Sequence, residues 1–173
     1  MILTILKKNG VNYLMKNKKI IFISSTGGHL TELLELKKIY EKYDSYFVTE
    51  KTKSSISIKD KFGKKAHFLL YGTKDHLLPY LFIFPLNILL SLILFIRIRP
   101  NYIISTGSHT AVPMCFIAKL FRRKVIYIET FANMETKTLA GKIVYPIADL
   151  FIVQWESMLK LYPKAVYGGW IFE

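Results

Sequence analysis

Ile20, Ile21, Phe22 and Ile23 form a short apolar run that does not alternate with polar residues. Segments 45–48, 66–70, 102–104, 125–128, 151–153 and 165–167 read as further strands. A strand with one wet face alternates, whereas a strand covered on both faces, as in a parallel sheet, does not. Between these segments lie stretches with helical spacing, from Gly28 to about Tyr43, then 111–121, 138–148 and 156–162. Strands that alternate with helices predict right-handed crossovers and a doubly wound, Rossmann-like α/β sheet of parallel strands. Segment 51–65 is polar and lysine-rich, and reads as a loop with a short helical turn.

Segment 77–96 breaks this rhythm, because it is apolar or aromatic almost throughout and carries no charge. Its length suffices to cross a bilayer, at about 1.5 Å per helical residue. A single crossing would place the first three strands and the later ones on opposite sides of the membrane, so that no common sheet could form. The expected form is a helix, broken or bent near Pro79 and Pro85, that packs its inner face on the sheet and sinks its outer face into one leaflet. Phe82, Leu86 and Leu90 are then lipid-facing, and Arg97 and Arg99 join the lysines at anionic headgroups. A buried crossover helix, a dimer seam and a true span are the alternatives. Residues 1–18 read as an amphipathic lead-in, helical over 2–15 or else frayed, and Met1–Leu6 is too short for a signal core.

The 173 residues, 51% of them hydrophobic, suit one domain, expected over 19–173. A net charge of +13 calls for an acidic partner: nucleic acid, an anionic membrane surface or a phosphorylated substrate. Nucleic acid is set aside, since no recognition helix or stacking platform accompanies the charge. Cys115 is the only cysteine, which excludes internal disulfides and is compatible with a reducing cytoplasm. His29, His67, His76 and His109 lack metal-ligand spacing, so no metal is expected.

The candidate chemistry sits where strands end. After Ile23, Gly27 and Gly28 can leave backbone amides open at the start of a helix, with His29 and Glu32 three apart at its mouth. After the fourth strand come Thr106, Gly107, Ser108, His109 and Thr110, with Pro113 suited to the first turn of the next helix. Open parallel sheets bind ligands outside the carboxyl ends of their strands, so both turns should face one crevice as an acceptor or phosphate cradle. Plain turns between packed elements remain the alternative. Glu129 ends the fifth strand, either as a general base or sugar-binding carboxylate, or as the ion-pair partner of Arg122 or Lys124.

Over nearly its whole length the chain resembles the anchor-subunit family of the two-component N-acetylglucosaminyltransferase of dolichol-linked glycan assembly, with its bacterial capsule and exopolysaccharide counterparts. The residues that carry the resemblance are Gly27-Gly28-His29 with Glu32, Gly107 with Val112-Pro113, KVIYIE at 124–129, and METKTLAGKIVYPIADLFIVQWESMLKLYPKAVYGGWIF at 134–172. More distantly the pattern is similar to the acceptor-binding half of the glycosyltransferase that completes the lipid-linked peptidoglycan precursor. The resemblance implies the acceptor half of a GT-B glycosyltransferase, with the UDP-sugar half on a separate polypeptide. It implies a polyprenyl-diphosphate-linked glycan as acceptor, a UDP-sugar supplied through the partner, no tightly bound cofactor, and a place on the cytoplasmic face of the membrane. His29 would be the acid/base or electrostatic group and Glu129 the second candidate. Trp170, Ile171 and Phe172 form the expected partner contact within 162–173, with folding back onto the core as the alternative, and the chain alone would be nearly inactive. The other function class is a non-catalytic scaffold that recruits and activates the partner. The relatives in eukaryotes carry an N-terminal membrane helix, whereas Met1–Lys19 here is not apolar enough to span, which shifts the anchoring to 77–96.

Overall fold

The computed structural model describes residues 18–72 and 77–172, so the lead-in expected over 2–15 lies outside the described residues. Seven strands form one sheet: β1 (Lys19–Ser24), β2 (Asp44–Glu50), β3 (Ala66–Leu69), β4 (Tyr102–Gly107), β5 (Lys124–Ile128), β6 (Leu150–Val153) and β7 (Val166–Tyr167). Their order is β3-β2-β1-β4-β5-β6-β7, and every pairing is parallel. The doubly wound sheet predicted from the alternation of strands and helices is therefore present. β1 is an interior strand, with Phe22 in register between Phe47 of β2 and Ile104 of β4.

Among the described residues six helices cover the two faces: α1 (Gly28–Glu35), α2 (Lys37–Tyr40), α3 (Ser57–Phe62), α4 (Leu77–Ile98), α5 (Val112–Leu120) and α6 (Leu139–Val144). Ile21, Ile23, Ile103, Val125 and Tyr127 point into a core under α4, α5 and α6. Their neighbours Ile20, Phe22, Ile104, Ile126 and Ile128 point into a second core under α1, α2 and α3. Successive side chains of a strand point to opposite faces, so two covered faces require an unbroken apolar run.

Several helices are shorter than their sequence spacing predicts. The helix after β1 divides at Leu36 and ends at Tyr40, short of Tyr43. α6 stops at Val144, where Pro146 has no N–H to offer the Lys142 carbonyl. Residues 156–162 form a 3-10 segment, Glu156–Lys160, in place of an α-helix.

α4 runs as one 22-residue helix with Pro85 inside it, rather than breaking there. Its buried stripe is Asn87, Ser91, Phe95 and Ile98, spaced four, four and three apart on one side. Asn87 is fixed by a two-point bond, its Oδ1 accepting from Leu70 N and its Nδ2 donating to Leu70 O, both at 2.8 Å. The exposed side carries Leu81, Phe82, Leu86, Ile88, Leu89, Ile93 and Ile96, with Phe82 74% exposed. The polarity over 81–93 is the inverse of a helix in water, since polar Asn87 and Ser91 face the protein while Leu81, Phe82, Leu86, Ile88, Leu89 and Ile93 face out. Leu90 is a correction to its expected lipid-facing place: it packs partly buried against the core. α5 lies beside α4, and α6 beside α5. They extend the apolar exterior with Phe116, Leu120, Leu139 and Ile143, while Arg97, Arg99, Arg122 and Arg123 are exposed at the helix ends.

Candidate functional site

The strand order reverses between β1 and β4, and their carboxyl ends bring both glycine turns together, as the switch-point rule requires. Ser25 N donates to Gly107 O at 3.0 Å across the gap. Gly27 takes φ +75°, which favours glycine, and caps α1, whereas Gly28 is already the first helical residue. One step later His29 Nδ1 lies 2.8 Å from the Thr106 carbonyl, and Thr106 Oγ1 donates back to the His29 carbonyl at 2.7 Å. A carbonyl only accepts, so this bond assigns the proton to Nδ1. Nε2 has no partner among the described residues.

Behind these turns stands a carboxylate that the sequence reading passed over. Glu50, the last residue of β2, accepts from Thr110 Oγ1 at 2.7 Å and from Thr26 N at 3.4 Å, and it faces His109 Nε2 at 3.5 Å. It therefore ties the β1 turn to the β4 turn. Burial raises its pKa, but the hydrogen bonds from His109 and Thr110, the His109 charge and the Thr26 amide outweigh that, so the group sits below its ordinary value. On the other side of the ring, His109 Nδ1 is 3.1 Å from Ser108 Oγ, and Tyr80 of α4 meets the imidazole edge-on at 5.6 Å.

Glu32 and Glu129 are turned inward. Glu32 accepts from Thr130 Oγ1 at 2.6 Å, Gln154 Nε2 at 2.9 Å and Phe131 N at 3.3 Å, so it fastens α1 to the loop after β5. Burial raises its pKa, and these bonds and the His29 charge only partly oppose the rise. Glu129 is 1% exposed and accepts from Thr130 N at 3.1 Å, Thr138 Oγ1 at 2.9 Å and Tyr162 Oη at 2.7 Å. Burial and this carboxylate raise the Tyr162 pKa. Neither Arg122 nor Lys124 takes part; Lys124 pairs with Asp149 at 2.8 Å. Gly141 makes room for the arrangement, because a β-carbon there would collide with Glu129 Oε2 and stand 2.5 Å from the Tyr162 hydroxyl. The two carboxylates position the site's floor, and His29 and His109 are the titratable groups at its rim. Among the described residues no cluster of His, Cys, Asp and Glu is placed to hold a metal ion.

A cavity of about 400 Å³ adjoins the rim, between α4, the turn after β4 and α6. At the other end of the sheet's carboxyl edge, Phe131, Trp155, Trp170 and Phe172 form an aromatic cluster with ring centroids 5.0–5.6 Å apart. Trp170 and Phe172 are exposed, but Ile171 is not the surface residue expected: it is 6% exposed, packs in the core, and its N–H donates to Gln154 Oε1 at 2.9 Å.

Comparison with known proteins gives the family and the fold. The family model described as oligosaccharide biosynthesis protein Alg14 like matches residues 19–171. The UDP-N-acetylglucosamine transferase subunit ALG14 of Candida albicans is 29% identical over 185 residues, covering 89% of this chain and 81% of that protein. Its rat counterpart is 42% identical over 79 residues, which is 42% of this chain and 37% of the relative, so there the match spans little more than a third of the relative's length. Among solved structures, Acinetobacter baumannii MurG superposes with TM-score 0.66 at 12% identity, covering 81% of this chain and 42% of that one. S. aureus MnaA with UDP gives 0.69 at 14% identity, covering 89% and 45%. At such identities these two establish the shared fold.

Proposed function

Because the chain belongs to the Alg14-like oligosaccharide biosynthesis family, we propose that it is the membrane-held, acceptor-binding subunit of a two-component UDP-sugar glycosyltransferase. The acceptor is a polyprenyl-diphosphate-linked sugar, and the UDP-sugar comes on a second polypeptide that docks at the carboxyl edge beside Trp170 and Phe172. The observation that carries this reading is the meeting of the two glycine turns at the switch point, with His29 Nδ1 held by the Thr106 carbonyl and Nε2 left open. In the reaction an acceptor hydroxyl attacks the anomeric carbon, UDP leaves with the bonding electrons, and Nε2 takes the hydroxyl proton.

Membrane contact is supported by the inverted polarity of α4, which is long and apolar enough to cross a bilayer by length and composition. β3 and β4, the strands it joins, belong to one sheet, so the helix lies in one leaflet with Arg97, Arg99, Arg122 and Arg123 toward headgroups of the cytoplasmic face. The resemblance of 134–172 to bacterial capsule and exopolysaccharide proteins supports repeat-unit synthesis as the setting. The chain has little activity without its partner.

A scaffold that only recruits the partner is the second reading, favoured by the inward commitment of Glu32 and Glu129. Reconstitution in vesicles with the partner, UDP-N-acetylglucosamine and a lipid-linked acceptor separates them. His29→Asn keeps a donor near the Thr106 carbonyl but has no second ring nitrogen. Turnover should fall about 100-fold or more with the complex intact. Unchanged turnover in His29→Asn would leave the scaffold reading, and full turnover by the chain alone would remove the two-component one.

A further inference from the structure

We propose that the cavity between α4 and α6 holds the first part of the hydrocarbon chain of a lipid-linked diphosphate, with the head group at Ser108 and His109. Its walls are Tyr80 and Phe84 of α4, Val112 of α5, and Leu139, Ala140 and Ile143 of α6. Among the described residues its polar members are Ser108, His109, Thr138 and the hydroxyl of Tyr80, and the Thr138 hydroxyl is already committed to Glu129. An apolar trough with Ser108 and His109 together on a single turn accepts an amphiphile, polar at one end and greasy along the rest. The volume of about 400 Å³ lies in the lower part of the small-ligand range of roughly 300–1,000 Å³, which suits one chain rather than a folded peptide segment.

Where the trough leads identifies the source of the chain. Both walls pass directly into the outward apolar surface: Leu81 and Phe82 are exposed on α4, and Leu139 and Ile143 on α6. Ser108 and His109 follow β4 at its carboxyl end, on the same turn as Gly107, against which the His29 ring lies. A chain that leaves the lipid between α4 and α6 therefore arrives at the crevice rim without crossing a polar surface. The occupant is a single-chain isoprenoid diphosphate, an assignment that rests on the proposed acceptor and fixes where its lipid part is held.

The test is equilibrium binding to the full purified chain in nanodiscs of zwitterionic lipid, with farnesyl diphosphate and inorganic diphosphate as probes. Farnesyl diphosphate should bind about tenfold or more tighter than inorganic diphosphate. Leu139→Asp and Ile143→Asp, both at exposed positions, should erase that preference with the thermal transition kept, whereas Leu120→Ser, outside the cavity, should retain it. Equal affinity for the two probes, or a preference that survives both aspartate variants, would overturn the proposal. So would displacement of farnesyl diphosphate by an equal concentration of short-chain phosphatidic acid, which would mark a phospholipid site. Neither partner nor UDP-sugar is present, so failure of the transferase reading leaves this binding untouched. Loss of the preference alongside normal transfer overturns only the placement of the lipid chain.

Discussion

The imidazole of His29 lies against the α-carbon of Gly107, so closely that a β-carbon there would stand 3.0 Å from both Nδ1 and Cε1. Gly107 also takes φ +102°, a backbone form that side chains disfavour. The two turns thus clamp the ring between a carbonyl and a bare backbone. Gly107→Ala should lower stability by about 2 kcal/mol and displace the ring, cutting turnover with membrane binding kept. Denaturant unfolding and vesicle turnover check it, and normal turnover would show that the ring is not held from this side.

Glu50 gives a pH signature. Its pKa in the fold is below the ordinary 4.5, so the unfolded chain takes up the proton first as pH falls. The stability this group contributes is therefore complete above about pH 4.5 and disappears as pH drops through the lower, folded value. Glu50→Gln should flatten that acid limb of the stability curve. An identical limb in the variant would assign it to other carboxylates, such as Asp149, whose pKa is also lowered.

Gly141 should tolerate no side chain, because the methyl of alanine would run into the Glu129 carboxylate, with the Thr138 hydroxyl 2.8 Å away. We expect Gly141→Ala to cost about 3 kcal/mol or more, since the displaced carboxylate has no second set of buried donors. A melting temperature near that of the parent would mean that the loop after β5 can shift as a body.

On α4 the two faces should respond in opposite ways. Phe82→Ser combined with Leu86→Ser and Ile93→Ser should reduce sedimentation with vesicles and leave unfolding nearly unchanged, because all three are exposed. Asn87→Leu makes the helix more apolar, yet it should destabilise by about 2 kcal/mol by stranding the N–H and C=O of Leu70. Unfolding of the triple serine variant would instead make that face a core.

Trp170→Ala with Phe172→Ala should lower co-purification of the partner about tenfold or more, as loss of exposed aromatic anchors does. The rings they leave, Phe131 and Trp155, remain tied by Trp155 Nε1 donating to the Phe131 carbonyl at 2.8 Å, so the melting curve should move little. Normal pull-down would place the docking surface elsewhere.

The sheet was legible because short strand-like segments alternate with helical ones, most plainly at the doubly buried run Ile20–Ile23, and each of the seven predicted segments is a strand. Helix ends were less so, since Leu36 and Pro146 act through local backbone geometry that apolar spacing does not encode. Both glycine turns were found by the rule that ligands bind at carboxyl ends of parallel strands. Glu50 was findable by the same rule that picked Glu129, had the second strand been extended from Val48 to its end. What could not be read is which carboxylate turns inward, because that depends on partners far along the chain: Thr130 and Gln154 for Glu32, Tyr162 for Glu129. Asn87 was hidden by averaging, since one polar residue hardly alters the hydropathy of 77–96.

On the proposed membrane-held reading, the contact between Tyr80 and His109 also sets how the protein would meet a lipid-linked acceptor. Tyr80 lies near the start of α4 and touches the crevice rim at 5.6 Å between ring centres, so with α4 seated in lipid the rim stays at the water boundary. A lipid-borne acceptor then reaches it by lateral diffusion within a plane, with no step through bulk solvent. The rate of the assembled pair should accordingly follow the mole fraction of acceptor among the lipids, and diluting the vesicles in buffer at constant composition should leave the rate per vesicle unchanged.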